Sequence, residues 1–246
     1  MRNFSVALFD LGGTLIYFDG EQPEIVAESD RAMQAWLQTA GLRLPLDFGT
    51  QFTARVQVFL AGNDPDFIEV TSANVLKTLL AEAGYPSLPD ETIRTALKTK
   101  FAITQQRWKL EEDAISTLDA LKDQGMRLGL VSNAGDAQDV HTLIDRHHLR
   151  PYFEQVIVSA LAGVRKPNPR IFKLALDKFN VGPENAVMVG DTLGADILGA
   201  KNAGIASVWI MRRAYRSDNR AHEDTIRPDA VIARLSELPP LLAKGF

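Results

Sequence analysis

The chain has 246 residues, 27 basic and 31 acidic, with a net charge of −4 and no cysteine. That length exceeds one ordinary domain and falls short of two, which implies a single core with an accessory insertion, large enough to fold without a disulfide or structural metal. The missing cysteine excludes a disulfide framework, a thiolate zinc site and a cysteine nucleophile, and the mild acidity argues against a nucleic-acid partner. Apolar runs are broken within a few residues, so no membrane span is expected. Residues 1–15 lack a long apolar stretch and meet Asp10 early, which argues against a signal peptide. The expectation is a soluble, cytoplasmic protein, monomeric or homodimeric, with no membrane partner.

Residues 4–9 are nearly all apolar, as in a strand buried on both faces of a parallel sheet, and the run ends at Gly12 and Gly13. From about 21 to 107 the pattern is helical. Ile25, Ser29, Ala32, Met33, Trp36 and Ala40 recur at helical steps before Gly41, and similar stretches cover 52–61, 72–83 and 90–107. No strand is predicted in this block. Beyond Glu111 helix and strand alternate. Helices are predicted at 114–124, 137–147, 169–179 and 195–202, and strands at 128–131, 156–159, 186–189, 207–211 and 230–232. Residues 212–227 read as a solvated, charged loop. The fold class is α/β, a Rossmann-like parallel sheet with helices on both faces and an inserted all-helical cap. The expected division is a discontinuous core, 1–17 and 109–246, with a cap at 18–108.

Ligands in such sheets bind at the carboxyl ends of the strands. Four reactive clusters fall there or in adjoining loops: Asp10; Ser132 with Asn133; Lys166, framed by Pro167 and Pro169; and Asp191, five residues before Asp196. Clustered carboxylates repel unless they share a cation, and an oxygen-only set suits Mg²⁺. Lys166 and the Ser132 hydroxyl would complement phosphoryl charge, and Asp10 could attack phosphorus as a covalent nucleophile kept ionised by Lys166.

FDLGGTL at 9–15, LVSN at 130–133, the lysine of VRKPNPRIF at 164–172 and VGDTLGAD at 189–196 resemble, in order, the four motifs of the haloacid dehalogenase superfamily. The helical block lies where that superfamily carries a cap. The resemblance implies a Mg²⁺-dependent hydrolase, a phosphatase acting on a small phosphorylated metabolite through an aspartyl-phosphate. By that resemblance Asp10 is nucleophile and metal ligand, and Lys166 pairs with Asp10 and the phosphoryl group. Ser132 and Asn133 belong to the phosphate site, and Thr14 orients the first motif beside it. Asp191 is a metal ligand, and Asp196 lies in the same shell or one water further out. The metal-free carbon–halogen branch usually lacks the glycine–aspartate fourth motif.

One position departs from the phosphatase pattern. The second residue after the nucleophile is normally an aspartate that serves as general acid–base; here it is Gly12. Its backbone carbonyl could still serve as a metal ligand, while the proton shuttle is lost, a loss of about 10²–10⁴ in rate. Three readings stay open: an activated leaving group or a carbon acid, a substitute carboxylate such as Asp19 or Glu21, or a catalytically weak or inactive phospho-ligand-binding protein. Phosphonate-cleaving relatives use a cap lysine instead, for which the candidates are Lys77, Lys98 and Lys100. The four histidines show no metal-ligand spacing, Trp36 and Trp108 read as cap packing, and neither a dinucleotide fingerprint nor a Walker loop is present.

Overall fold

The computed structural model describes residues 4–61, 64–215 and 217–245. Strand β1 (Val6–Phe9) leads through Gly12 and Gly13 into β2 (Ile16–Phe18). Four helices follow: α1 (Gln22–Thr39), α2 (Phe48–Ala61), α3 (Ser72–Glu82) and α4 (Asp90–Thr104). Strand β3 (Trp108–Leu110) then pairs antiparallel with β2. After α5 (Ala114–Asp123) come β4 (Arg127–Ser132), α6 (Ala137–Arg146), β5 (Gln155–Val158), the short α7 (Ser159–Ala162) and α8 (Pro169–Phe179). Strand β6 (Ala186–Gly190) runs into a π-helical turn, Leu193–Ile197, continued by α9 (Leu198–Asn202). The chain closes with β7 (Ala206–Ile210), a short α10 (Ser217–Arg220), β8 (Ala230–Ile232) and α11 (Leu238–Lys244).

The six long-range strands form one parallel sheet in the order β5-β4-β1-β6-β7-β8. Period-two side-chain alternation explains how β1 holds both layers together. Ala7 and Phe9 enter the apolar cluster on one face, with Leu118 and Leu143, while Val6 and Leu8 enter the cluster on the other, with Phe172 and Phe179. Local chemistry sets the helix starts. Asp136 accepts from the Asp139 amide at 2.8 Å and Asn168 from the Arg170 amide at 2.9 Å, with Pro169 beginning α8. The helices α1–α4 pack around a separate apolar cluster that includes Met33, Phe52, Leu76 and Leu97. Inside that bundle Lys100 pairs with Asp30, whose carboxylate also accepts from Thr53 at 2.9 Å.

Three expectations change. The β2–β3 ribbon, with Ile16 opposite Leu110 and Phe18 opposite Trp108, was not foreseen, because three-residue strands are too short to show a period; it crosses both expected domain boundaries. The predicted helix at 195–202 begins earlier, as the π-turn at Leu193. The solvated loop expected at 212–227 holds only in part: most of its described residues are exposed, but the stretch is anchored to the core. Ala214, Asn219 and Ile226 are buried, and Arg212 and Arg213 pair with the buried Glu111, Arg212 also with Asp113. Among the described residues no helix is long and apolar enough to cross a membrane.

Candidate active site

The sheet order puts β1 between β4 and β6, so whatever follows these three strands shares one edge. Register sharpens the convergence. Phe9 lies opposite Leu130 on one side and Val189 on the other, so Asp10, Ser132 and Asp191 emerge within a residue or two of each other. The Asp10 amide donates to the Val189 carbonyl at 3.0 Å, which fixes the turn.

Lys166 is the centre of the cluster. Its Nζ donates to Asp10 Oδ1, Asp196 Oδ1 and the Val131 carbonyl, each at 2.7 Å, and the side chain is buried. Burial opposes its charge, yet the two carboxylates outweigh that penalty and raise its pKa above the ordinary lysine value. Burial pushes the Asp196 carboxyl up to about 6, the Asp10 charge adding to it and Lys166 opposing. Asp196 also accepts from the Thr192 amide at 3.0 Å, so it caps its own turn while facing Lys166. π-turns of this kind recur at functional sites.

Asp10, Asp191 and Asp196 each present a carboxylate oxygen within 4.8 Å of the others. Two glycines permit this. A Cβ on Gly13, whose φ is +88°, would lie 2.3 Å from Asp191 Oδ2, and a Cβ on Gly190 would lie 2.3 Å from the Asp196 carboxyl carbon. An all-oxygen, buried, three-carboxylate cradle fits a hard divalent cation such as Mg²⁺. The Asp191 carbonyl is held from behind by Trp209 Nε1 at 2.9 Å and Asn219 Nδ2 at 2.8 Å, and Asn219 Oδ1 accepts from the Leu193 amide at 2.7 Å.

Asp10, Gly12, Ser132, Asn133, Lys166 and Asp196 line one cavity of about 480 Å³. Trp108, Ile16, Leu60, Val140 and Leu143 supply its apolar wall, and Arg165 and Asp139 its further charged groups. Asn133 is committed to the Lys166 backbone, donating to its carbonyl at 3.0 Å and accepting from its amide at 2.8 Å, so its amide positions the lysine loop. Thr14 does not reach the cavity. It is fully buried, and its hydroxyl has no hydrogen-bond partner. Asp19 and Glu21 are exposed and do not line the cavity. Lys77 pairs with Asp90 at the surface, Lys100 is enclosed within the helical bundle and Lys98 faces a different cleft, so no cap lysine reaches Asp10's cavity.

Sequence reasoning missed Arg165, Asp139 and Asn219 and read Trp108 as packing alone. Arg165 carried a signal, adjacency to Lys166; Asn219 carried none, since one asparagine in a polar stretch resembles any other. The Asp139 carboxyl accepts from Gln105 Nε2 at 2.8 Å; burial, with Asp136 adding, pushes it up to about 6.

Comparison with known proteins adds to this geometry. A family model described as haloacid dehalogenase-like hydrolase matches residues 4–204. The chain is 30% identical over 246 residues to glyceraldehyde 3-phosphate phosphatase of Pyrococcus furiosus, covering 99% of this chain and 95% of that protein. It is 28% identical over 235 residues to the pyrimidine 5′-nucleotidase YjjG of Escherichia coli, covering 93% and 97%. Among solved structures, 2-haloacid dehalogenase from Pseudomonas syringae superposes with a TM-score of 0.69 at 25% identity, over 98% of this chain and 99% of that one.

Proposed function

Because the chain belongs to the haloacid dehalogenase-like hydrolases, we propose that it is a Mg²⁺-dependent phosphatase of a small phosphorylated metabolite, with Asp10 as nucleophile and residues 18–108 as a cap over the site. The observation that carries this reading is the buried Asp10–Lys166–Asp196 chain, with Asp191 in reach, opening to a cavity at the carboxyl edge of the sheet.

In this reading Asp10, Asp191 and Asp196, with the Gly12 carbonyl, would hold Mg²⁺, which when bound neutralises phosphoryl charge. An Asp10 carboxylate oxygen attacks phosphorus, the bond to the ester oxygen breaks, and that oxygen leaves with the electron pair. Lys166, which donates to Asp10, balances the equatorial oxygens, and the Ser132 hydroxyl donates to one of them. Water then attacks the same phosphorus, releasing inorganic phosphate and the free Asp10 carboxylate. Gly12 offers no side chain to protonate the leaving oxygen, so weakly basic leaving groups are favoured. The similarity to a 2-haloacid dehalogenase keeps carbon–halogen hydrolysis as a second reading; the three-carboxylate cluster favours the first.

Phosphate release from a panel of alkyl and aryl monoesters, with Mg²⁺ and with a chelator, tests the reading against Asp10→Asn. We expect release that needs Mg²⁺ and Asp10 and is fastest on the aryl ester. Release that survives Asp10→Asn, or halide release from a 2-haloacid with no phosphate release at all, overturns it.

A further inference from the structure

Arg165 stands one residue before Lys166 and is 8% exposed. Its backbone is fixed: the amide donates to the Phe67 carbonyl at 2.8 Å, beside an antiparallel bridge between Val164 and Ile68. The guanidinium reaches the last turn of α2, where Nη2 donates to the carbonyls of Phe59 at 3.2 Å and Leu60 at 3.3 Å. Such carbonyls at a helix end carry partial negative charge and offset part of the cation. The offset is incomplete. Nε is buried without a partner, and among the described residues no carboxylate pairs with Arg165. An arginine cannot escape this by losing its proton, and a buried charge without a counter-ion is costly.

Arg165 lines both the catalytic cavity and an adjoining one of about 150 Å³, walled by Val56, Ile68, Val70 and Val75. Asn133, which clamps the Lys166 backbone, also lines both, so the two spaces meet beside the phosphoryl site.

We propose that Arg165 receives a carboxylate carried by the substrate's leaving group, which makes this site selective for small phosphorylated carboxylic acids over their uncharged counterparts. The proposal rests on the phosphatase reading above and names its substrate class. A planar guanidinium matches a carboxylate in shape as well as charge. The small, largely apolar space fits a short alkyl chain ending in that group. Glu69 lines the same enclosure without pairing with Arg165, which disfavours a doubly charged phosphate there more than a single carboxylate.

The test compares phosphorylated 3-hydroxypropanoate with its primary amide. Binding is measured by calorimetry in Asp10→Asn, which cannot turn either over, with and without Arg165→Gln. We expect the acid to bind about 10-fold or more tighter than the amide, as for a hydrogen-bonded charged group, and the ratio to fall to about one in the double variant. A lost role in holding α2 would weaken both ligands together and leave the ratio intact, and that result overturns the proposal. Equal binding of acid and amide in Asp10→Asn alone also overturns it, whether or not the glutamine variant folds. Arg165→Lys, which keeps charge but loses the fork, should give an intermediate ratio. Turnover of an aryl phosphate by the unmodified protein is scored separately: its absence with acid selectivity intact defeats the phosphatase reading and not the Arg165 assignment.

Discussion

Gly12 and Trp108 exclude one another's alternatives. A Cβ at position 12 would lie 3.1 Å from Trp108 Cη2 and 3.3 Å from Cζ3, and the indole is itself held edge-on by Phe18 at 5.4 Å. An aspartate there crowds the ring, which must give by a few tenths of an ångström before the carboxyl can shuttle a proton. Gly12→Asp alone should therefore leave turnover of an unactivated alkyl phosphate flat or lower. Gly12→Asp with Trp108→Ala, which empties that space, should raise it by roughly 10–100-fold, part of the range for general acid catalysis. Steady-state kcat for the two variants decides, and a gain in the single variant would show that the ring yields. Asp139 offers a second residue-scale prediction. Its carboxyl is raised from 3.8 to about 6, first by burial and then by Asp136. A raised folded-state pKa means that the folded protein holds the proton more tightly. This group's contribution to stability is therefore full below about pH 4 and is lost as pH climbs through 6. Asp139→Asn removes that cost and can still accept from Gln105. It should stabilise the protein by about 1–3 kcal/mol at pH 7.5, discounted for partial exposure, and by nothing near pH 3.5. Urea denaturation at the two pH values reads the difference.

At the scale of elements, what was legible in the sequence depended on how much chain each signal had to repeat in. The buried strands β1, β4 and β6 announced themselves as apolar runs, and α8 was bounded at Pro169 and Phe179 because proline and its asparagine cap act locally. Asp10, Ser132 and Asp191 stood out because each ends or follows a strand, Lys166 because two prolines frame it in the loop before α8, and Asp196 because it comes five residues after Asp191, in the π-turn. The ribbon β2–β3 was not, since its partners are separated by the whole helical block and only pairing gives them shape. The stretch after β7 is largely exposed, as its charge implies, but its anchors were hidden for a similar reason: Arg212 and Arg213 find Glu111 and Asp113 only in three dimensions. Asn219 shows the consequence for the site. It joins the Asp191 carbonyl to the Leu193 amide and so stiffens the loop that presents an acid. Asn219→Ala should weaken Mg²⁺ binding by about 10–100-fold, the usual effect of losing such support, while far-ultraviolet circular dichroism stays unchanged. Isothermal titration with Mg²⁺ tests this, and an unaltered affinity would assign Asn219 to packing alone.

The whole molecule sets a charge problem that its topology creates. Parallel pairing of β1 with β6, and the turn after β6, gather Asp10, Asp191 and Asp196 at the sheet edge, where Lys166 donates to Asp10 and Asp196. Three buried carboxylates within 4.8 Å of one another repel where water is scarce, and such repulsion weakens the folded state. The unfolded chain has no such gathering, so a cation that enters this cradle binds the folded form selectively and must stabilise it by mass action. At a Mg²⁺ concentration 100 times its dissociation constant the gain is about 2.7 kcal/mol, which for a chain of this size corresponds to roughly 5–10 °C in Tm. Thermal melts in Mg²⁺ and in chelator should show that shift. Asp191→Asn should shrink it while raising the Tm in chelator, because removing one of three like charges relieves the same repulsion that the cation relieves. A Mg²⁺ shift that persists undiminished in Asp191→Asn would place the cation elsewhere on the molecule. A lower metal-free Tm for that variant would mean that the hydrogen bonds made by the Asp191 carboxylate outweigh the repulsion between the acids.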